Sequence, residues 1–153
     1  MGFLNAEGNL APEDCLFSRL VVSHTFEHFS RVVFPQIKQD LKAKNGRGFK
    51  KHLEVLSIAD PRAYYDFSFQ TVEYSDTGHL LNRFLELPLP RHFVYGSMNR
   101  HLSYLPELRR SSCILTEISG ADHFLFYDAP EDFAASVAEA TGSSGLIARA
   151  TGC

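Results

Sequence analysis

The sequence predicts an α/β protein with a short, mainly parallel sheet and a large helical segment. The region from His92 to Ala140 alternates strand-like and helical runs, an order typical of parallel strands joined by helical crossovers. Residues 15–87 carry the apolar spacing of helices instead. A short apolar run, "GFLNA" (Gly2–Ala6), is a candidate for a further buried strand beside the other two.

Composition excludes several classes of partner. The chain has 153 residues, of which 44% are hydrophobic and 22% charged, as in a folded globular protein. Its net charge of −3, without a long basic run, argues against nucleic acid as a partner. No apolar run reaches the roughly 18 residues that a membrane span requires, so no membrane partner is expected. No cofactor-binding motif is visible, and we expect no cofactor.

Cysteine usage points to a reducing compartment. The three cysteines are odd in number, widely separated and without a C-x-x-C pair (Cys15, Cys113 and Cys153). This pattern disfavours a disulfide framework and a cysteine-based zinc site, and we therefore expect a cytoplasmic protein.

Turn and cap residues divide the helical block. Pro35 is expected to break the first long pattern into two helices, the second of which ends at Asn45 and Gly46. Pro61 at a first helical turn favours a helix for the aromatic-rich run that follows. Thr77 is expected to cap the last helix of the block.

The character of the sequence changes after Pro90. "RHFVYG" is a β-favouring run that stops at Gly96, and "SYLPELRR" reads as a short helix. "SCILTEIS" is the next strand candidate. The final helix is predicted from Pro130 to a stop at Gly142.

This C-terminal region resembles the last two strands and the final helix of the α/β-hydrolase superfamily. The shared pattern is a strand ending in Gly, a further strand, a G-x-x-H-F loop and a helix started by Pro. The residues that match it in order and spacing are Gly120, His123, Phe124, Pro130 and Phe133. The segment "NAEGNLAPEDCLFSR" is similar to the strand end that enters the helical cap in one branch of the superfamily.

The resemblance implies a partial α/β-hydrolase fold with a helical cap. Residues 1–14 correspond to a strand end and loop of the core, and residues 15–87 to the cap. Residues 88–141 correspond to the C-terminal strands and helix, and residues 142–153 to a flexible tail.

The resemblance also implies a catalytic histidine with a carboxylate partner. His123 corresponds to the general base, which needs an acid to hold its tautomer. In most of the superfamily the acid follows the strand matching "HFVYG", where this sequence has no carboxylate. Some branches, including certain haloalkane dehalogenases, carry it one strand earlier, which makes Glu7 the candidate acid and Asp14 the reserve. Asp122 is interpreted as a residue that structures the loop.

The family nucleophile has no counterpart in the sequence. The motif G-x-S-x-G is absent, so the resemblance implies a hydrolase of esters or related small-molecule bonds that is inactive alone. The expected partners are a small-molecule substrate in the full-length family and either a second copy of the chain or a separate N-terminal half. A non-catalytic binding or assembly module remains an alternative, since an unpaired sheet edge promotes association.

A second alternative is a zinc-peptidase-like site in "HTFEH". His24 and His28 would lie on one face of a helix, with Glu27 as the base. The cap aromatics offer a further ambiguity, because they form either the core of the cap or the lining of a ligand pocket. We expect most of them in the core and one or two at a pocket. They are Phe26, Phe29, Phe34, Tyr64, Tyr65, Phe67 and Phe69.

Overall fold

A computed structural model describes residues 2–142 and shows an α/β fold. These residues form two compact units. The first, the sheet unit, comprises residues 2–8 and 84–142. The second, the helical unit, is Asn9–Arg83, and it is inserted in the sequence between the two parts of the sheet unit.

The elements alternate between a helix-rich middle segment and strands on either side of it. The elements are β1 (Phe3–Ala6), a 3-10 turn (Pro12–Asp14), α1 (Leu16–Val22), α2 (Phe26–His28), a π-helical turn (Phe29–Val33), α3 (Phe34–Ala43), α4 (Arg47–Ile58), α5 (Pro61–Asp76), α6 (His79–Leu85), β2 (Arg91–Gly96), a second 3-10 turn (Ser97–Asn99), α7 (Leu105–Arg110), β3 (Ile114–Ile118), α8 (Leu125–Asp128) and α9 (Pro130–Thr141). All three predicted strands are present. The prediction missed α8.

The sheet has the order β1-β2-β3, and both strand pairs are parallel. Successive residues of a strand face opposite sides of a sheet, so the central strand β2 contributes to two layers. Val94 packs in a buried cluster with Ile118 and Leu125. Phe93 faces the other side, where its ring meets those of Phe84 and Tyr104. Apolar side chains therefore cover both faces, as a parallel sheet requires.

The helical unit is built around one buried apolar cluster. Its members are Val21, Phe29, Val33, Phe34, Ile37, Leu41 and Leu56. Asp60 starts α5 by accepting hydrogen bonds from the backbone N–H groups of Arg62 and Ala63, and Pro61 occupies the first helical position. The hydroxyl of Thr77 accepts from the N–H of His79 at the start of α6. Both predicted helix starts are confirmed.

The predicted helix break at Pro35 is wrong. The helical backbone runs through this residue, because a π-helical turn precedes it and the N–H of Phe34 bonds the carbonyl of Phe29 five residues earlier. Such a turn shifts the hydrogen-bond register and accommodates the missing donor of proline. The break lies earlier, between α1 and α2, where the hydroxyl of Thr25 accepts from the N–H of His28.

The C-terminal helix ends as its sequence predicts. Gly142 follows α9 with φ of 69°, the left-handed conformation that glycine adopts at low cost. The rest of the predicted tail, residues 143–153, lies outside the described residues. Within residues 2–142, no helix combines the length and apolar character needed to cross a membrane.

Candidate functional site

Glu7 and His123 meet at one edge of the sheet. Glu7 directly follows β1, and His123 lies in the loop between β3 and α8, so both stand at carboxyl ends of parallel strands. The Nδ1 atom of His123 is 3.2 Å from Oε2 of Glu7. The side chain of Glu7 is 4% exposed and that of His123 is 48% exposed. The pair thus joins a buried carboxylate to an imidazole that reaches solvent.

Three donors hold the carboxylate of Glu7. The backbone N–H of Gly96 donates to Oε1 at 2.6 Å, and the Asn99 amide lies 3.1 and 3.0 Å from the two oxygens. His123 is the third. Glu7 itself has φ of 46°, a left-handed conformation uncommon outside glycine. Strain of this kind persists only where the surrounding contacts fix the residue, and it is frequent at functional sites.

The histidine loop is tied to the end of β2. The N–H of Met98 donates to the carbonyl of Ala121 at 3.2 Å, and the N–H of Gly120 donates to the Ser97 hydroxyl at 2.9 Å. Gly96 approaches the loop so closely that a Cβ there would lie 2.9 Å from the Asp122 carbonyl oxygen and closer still to that of Ala121. Only glycine fits this position without displacement of the loop.

An ion pair holds the 3-10 turn after β2 against β3. Arg100 donates through Nε and Nη2 to the two oxygens of Glu117, at 2.9 and 2.5 Å. This hydrogen bonding lowers the pKa of Glu117, so the ion pair persists at neutral pH and weakens only at acid pH. Burial raises the pKa of neighbouring Tyr95, whose hydroxyl donates to Glu117. Arg100, the residue after Asn99, therefore makes a two-point contact with β3.

The other two carboxylates that the sequence offers, Asp122 and Asp14, have local partners. Oδ1 of Asp122 accepts from the N–H of His123 at 2.8 Å, as expected of a residue that structures the loop. Asp14, the reserve acid, belongs to the helical unit, where its Oδ2 accepts from the N–H groups of Leu10 and Ala11 at 2.8 Å each. The carboxylate that the structure brings to the imidazole ring of His123 is that of Glu7.

The geometry fixes what the imidazole can do. An ionised carboxylate only accepts hydrogen bonds, so Nδ1 of His123 must carry the proton that points at Glu7. In the neutral ring, Nε2 is then the basic nitrogen. The carboxylate also stabilises the imidazolium that forms when this nitrogen takes a proton. The pair is therefore suited to general base catalysis.

Comparison of the chain with protein-family profiles, curated proteins and solved structures gives no match.

The sequence did not predict that Gly96 and Asn99 donate hydrogen bonds to Glu7. Both lie at the end of the central strand, and the ends of parallel strands converge at one edge of a sheet. That convergence was the available signal. The hydrogen bonds themselves join residues about ninety positions apart in the sequence, which no local pattern encodes.

The "HTFEH" segment does not form the helix that the zinc alternative requires. His24 lies before the helix cap Thr25, so His24 and His28 are not on one continuous helix. Their ring centroids are 4.9 Å apart, while Glu27 pairs with Arg31 at 2.9 Å. Among residues 2–142, no group of three or more potential ligands is placed to hold a metal ion.

Most cap aromatics pack in the core of the helical unit, whereas Phe67 and Phe69 are exposed. Phe29 and Phe34 are buried members of the core, with Phe26, Tyr64 and Tyr65 packed against it. Phe67 is 67% exposed. It lines an open groove of about 330 Å³ within the helical unit, whose other lining residues are Asn9, Gln70, Thr71, Tyr74 and Leu80.

The thiol of Cys113 is expected to resist alkylation in the folded protein. Its residue is 7% exposed, and burial raises its pKa above the ordinary value despite the opposing influence of Arg91. Because the thiolate is the reactive form, iodoacetamide near neutral pH should modify it only after denaturation. Mass spectrometry of the peptides before and after unfolding in urea checks this. Complete modification of Cys113 in the native protein would contradict the burial.

Proposed function

We propose that Glu7 and His123 are the acid and base of an ester hydrolase of the α/β-hydrolase type. The observation that carries this proposal is the 3.2 Å contact between a buried carboxylate and a half-exposed imidazole. The position of both groups at carboxyl ends of parallel strands supports it, since chemistry in open α/β sheets gathers there. The sequence pattern around His123 supports it independently.

The proposed reaction is acyl transfer through a serine. His123 takes the proton from the serine hydroxyl as its oxygen attacks the ester carbonyl, and the resulting imidazolium is stabilised by Glu7. The imidazolium then gives that proton to the departing alcohol, which leaves an acyl-serine. A water molecule, deprotonated by His123, next attacks the acyl group. The carboxylic acid leaves, and the serine regains its proton.

The proposed source of the serine is a strand that pairs with the outer edge of β1. β1 is at the edge of the described sheet, and its sequence "FLNA" lacks the charged or proline residues that usually protect an edge. A parallel neighbour on that edge would end beside Glu7, because parallel strands direct their carboxyl ends to the same side. A G-x-S-x-G turn on such a strand would complete the site.

The helical unit is proposed to act as the cap, and a small-molecule ester as the substrate. The helical unit is inserted between β1 and β2, the two strands whose ends supply Glu7 and Gly96. The groove beside Phe67 is lined by apolar and uncharged polar side chains, which suits an uncharged molecule. Cys15 and Cys113 are free thiols, consistent with the proposed cytoplasmic location.

The isolated chain should not hydrolyse p-nitrophenyl acetate faster than the buffer and the His123→Ala variant. The base is present, but the 153 residues contain no G-x-S-x-G nucleophile for it to activate. Release of p-nitrophenolate at pH 7–8 is the measurement. Turnover that depends on His123 in the isolated chain would show that the nucleophile lies within these residues and would refute the edge-strand source.

The proposal as a whole is tested on the chain purified with its partners. An affinity-tagged chain is isolated from its source organism and treated with a fluorophosphonate, a reagent that labels serines activated by a base. A serine on a co-purified chain should be labelled, and His123→Ala should abolish this labelling. His101→Ala, which removes another exposed histidine of the sheet unit, is the matched control. Labelling that is equal in the two variants, or no labelled serine, would contradict the proposed role of His123.

A further inference from the structure

Glu7, Asn99, Asp122 and His123 are joined by hydrogen bonds into a closed cycle. The Nδ2 atom of Asn99 is 3.1 and 3.0 Å from the two oxygens of Glu7 and 3.2 Å from Oδ1 of Asp122. The same Oδ1 accepts the backbone N–H of His123 at 2.8 Å. The cycle closes where Nδ1 of His123 meets Oε2 of Glu7 at 3.2 Å. Each residue is therefore bound to two of the others.

The donors and acceptors of this cycle are matched. A primary amide carries two hydrogens, so Asn99 can donate to both carboxylates at once. A carboxylate oxygen has two lone pairs, so Oδ1 of Asp122 can accept from Asn99 and from the backbone of His123 together. In this cycle Asp122 holds the backbone of His123, and Glu7 holds its ring.

The cycle ties together the carboxyl ends of all three strands. Glu7 follows β1, Asn99 lies in the 3-10 turn after β2, and the histidine loop follows β3. Two backbone donors hold the same segments, since the N–H of Gly96 binds Glu7 and the N–H of Met98 binds the carbonyl of the residue before Asp122. The side chains of Asn99 and Asp122 add the link between the acid and the loop.

We infer that Asn99 and Asp122 are positioning residues that hold the histidine loop where the ring of His123 and the carboxylate of Glu7 can pair. The inference rests on the proposed function for its catalytic consequence, because a base must keep its ring in one tautomer. Asp122 serves as a hydrogen-bond acceptor in this role. Its negative charge is not required, because asparagine offers the same acceptor oxygen.

The test measures the tautomer ratio of His123 in the isolated chain by long-range ¹H–¹⁵N NMR at alkaline pH, where the ring is neutral. Wild type should carry the ring proton on Nδ1. Asp122→Ala removes the acceptor of two links, so the ratio of the Nδ1–H to the Nε2–H form should fall about tenfold, as expected for a lost hydrogen bond to a charged group. Asp122→Asn keeps the acceptor and should retain the wild-type ratio.

A second set of variants tests whether the two residues act through one cycle. Asn99→Leu has a similar shape but no donors, and it should lower the ratio as Asp122→Ala does. Because either change opens the same cycle, the double variant should show no larger loss than the single variants. Met98→Leu, which alters an exposed side chain of the same turn, should match wild type. If Asn99→Leu does not fold, Asn99→Ala, which adds no bulk, replaces it.

The contrary results are distinct from one another. An unchanged ratio in Asp122→Ala would overturn the positioning role, and an equal loss in Asp122→Asn would show that charge and not the acceptor is needed. Losses that multiply in the double variant would show that Asn99 and Asp122 act separately, which contradicts the cycle. A wild-type ring with its proton on Nε2 would instead contradict the proposed function.

Discussion

Gly96→Ala is expected to lower the free energy of unfolding by about 3 kcal/mol, because the new methyl group overlaps backbone carbonyl groups of the histidine loop. The Cβ would lie 2.9 Å from the carbonyl oxygen of Asp122 and closer to that of Ala121. These carbonyls belong to the loop that carries His123, and the Gly96 N–H also binds Glu7. The substitution should therefore disturb the fold and the acid–base pair together.

The matched control for this substitution is Gly120→Ala in the same loop. Gly120 has φ of 72° and no atom within 4 Å of an added Cβ, whereas the φ of Gly96 is −80°, which any residue adopts. The control thus measures left-handed backbone strain alone, which costs roughly 1–2 kcal/mol. Urea denaturation followed by circular dichroism gives both values. A cost for Gly96→Ala no larger than that of the control would show that the loop moves aside freely.

His123→Ala and Glu7→Gln are expected to lower kcat/KM for an aryl ester by about 10²–10⁴-fold in the assembly that holds the nucleophile. Alanine removes the base. Glutamine keeps the shape of Glu7 but can present an N–H to Nδ1, so the ring loses both its tautomer preference and the stabilisation of its imidazolium. Substrate binding is not removed by either change, and the loss should appear mainly in kcat.

The control for the kinetic prediction is His101→Ala, which leaves the site intact. Rates of p-nitrophenyl acetate hydrolysis by equal amounts of each assembly are the measurement. Because the proposed acid and base act as one unit, the variant with both substitutions should be little slower than the slower single variant. Losses that multiply in the double variant would show that Glu7 and His123 act independently.

Much of the fold follows from local signals, and these were sufficient for the strands. "RHFVYG" is bounded by Pro90 and Gly96, and the strand has those limits. Asp60 and Pro61 specify the start of α5 by cap chemistry and a pre-set φ, which depend on neighbouring residues only. Such interactions involve residues only a few positions apart, so they can be predicted from the sequence.

The errors arise where tertiary packing overrides a local preference. Pro35 disfavours helix continuation, yet the buried side chains of Val33, Phe34 and Ile37 hold the helix together through the π-helical turn. The gain from burying this apolar face exceeds the cost of one lost hydrogen bond. The missed α8 is only four residues long, and Leu125 within it is buried against the sheet. Helices this short depend on packing more than on propensity.

The candidate site likewise has features that the sequence predicts and features that only the folded structure shows. The sequence pattern places His123 and Glu7 at strand ends, and the structure brings their side chains together. The contacts of the Asn99 amide with Glu7 and Asp122, and the close approach of Gly96 to the loop, depend on how two strand ends and a loop meet in space. These contacts join segments far apart in the chain, and their donors and acceptors are visible only in the folded protein.

The tautomer of His123 tests the pairing with Glu7 most directly. In the isolated wild-type chain at alkaline pH, long-range ¹H–¹⁵N NMR should find the ring proton on Nδ1, and Glu7→Gln should abolish this single preference. That result would establish Nε2 as the basic nitrogen, held ready by a buried carboxylate. A ring that carries its proton on Nε2, or that is unaffected by Glu7→Gln, would contradict the acid–base pair.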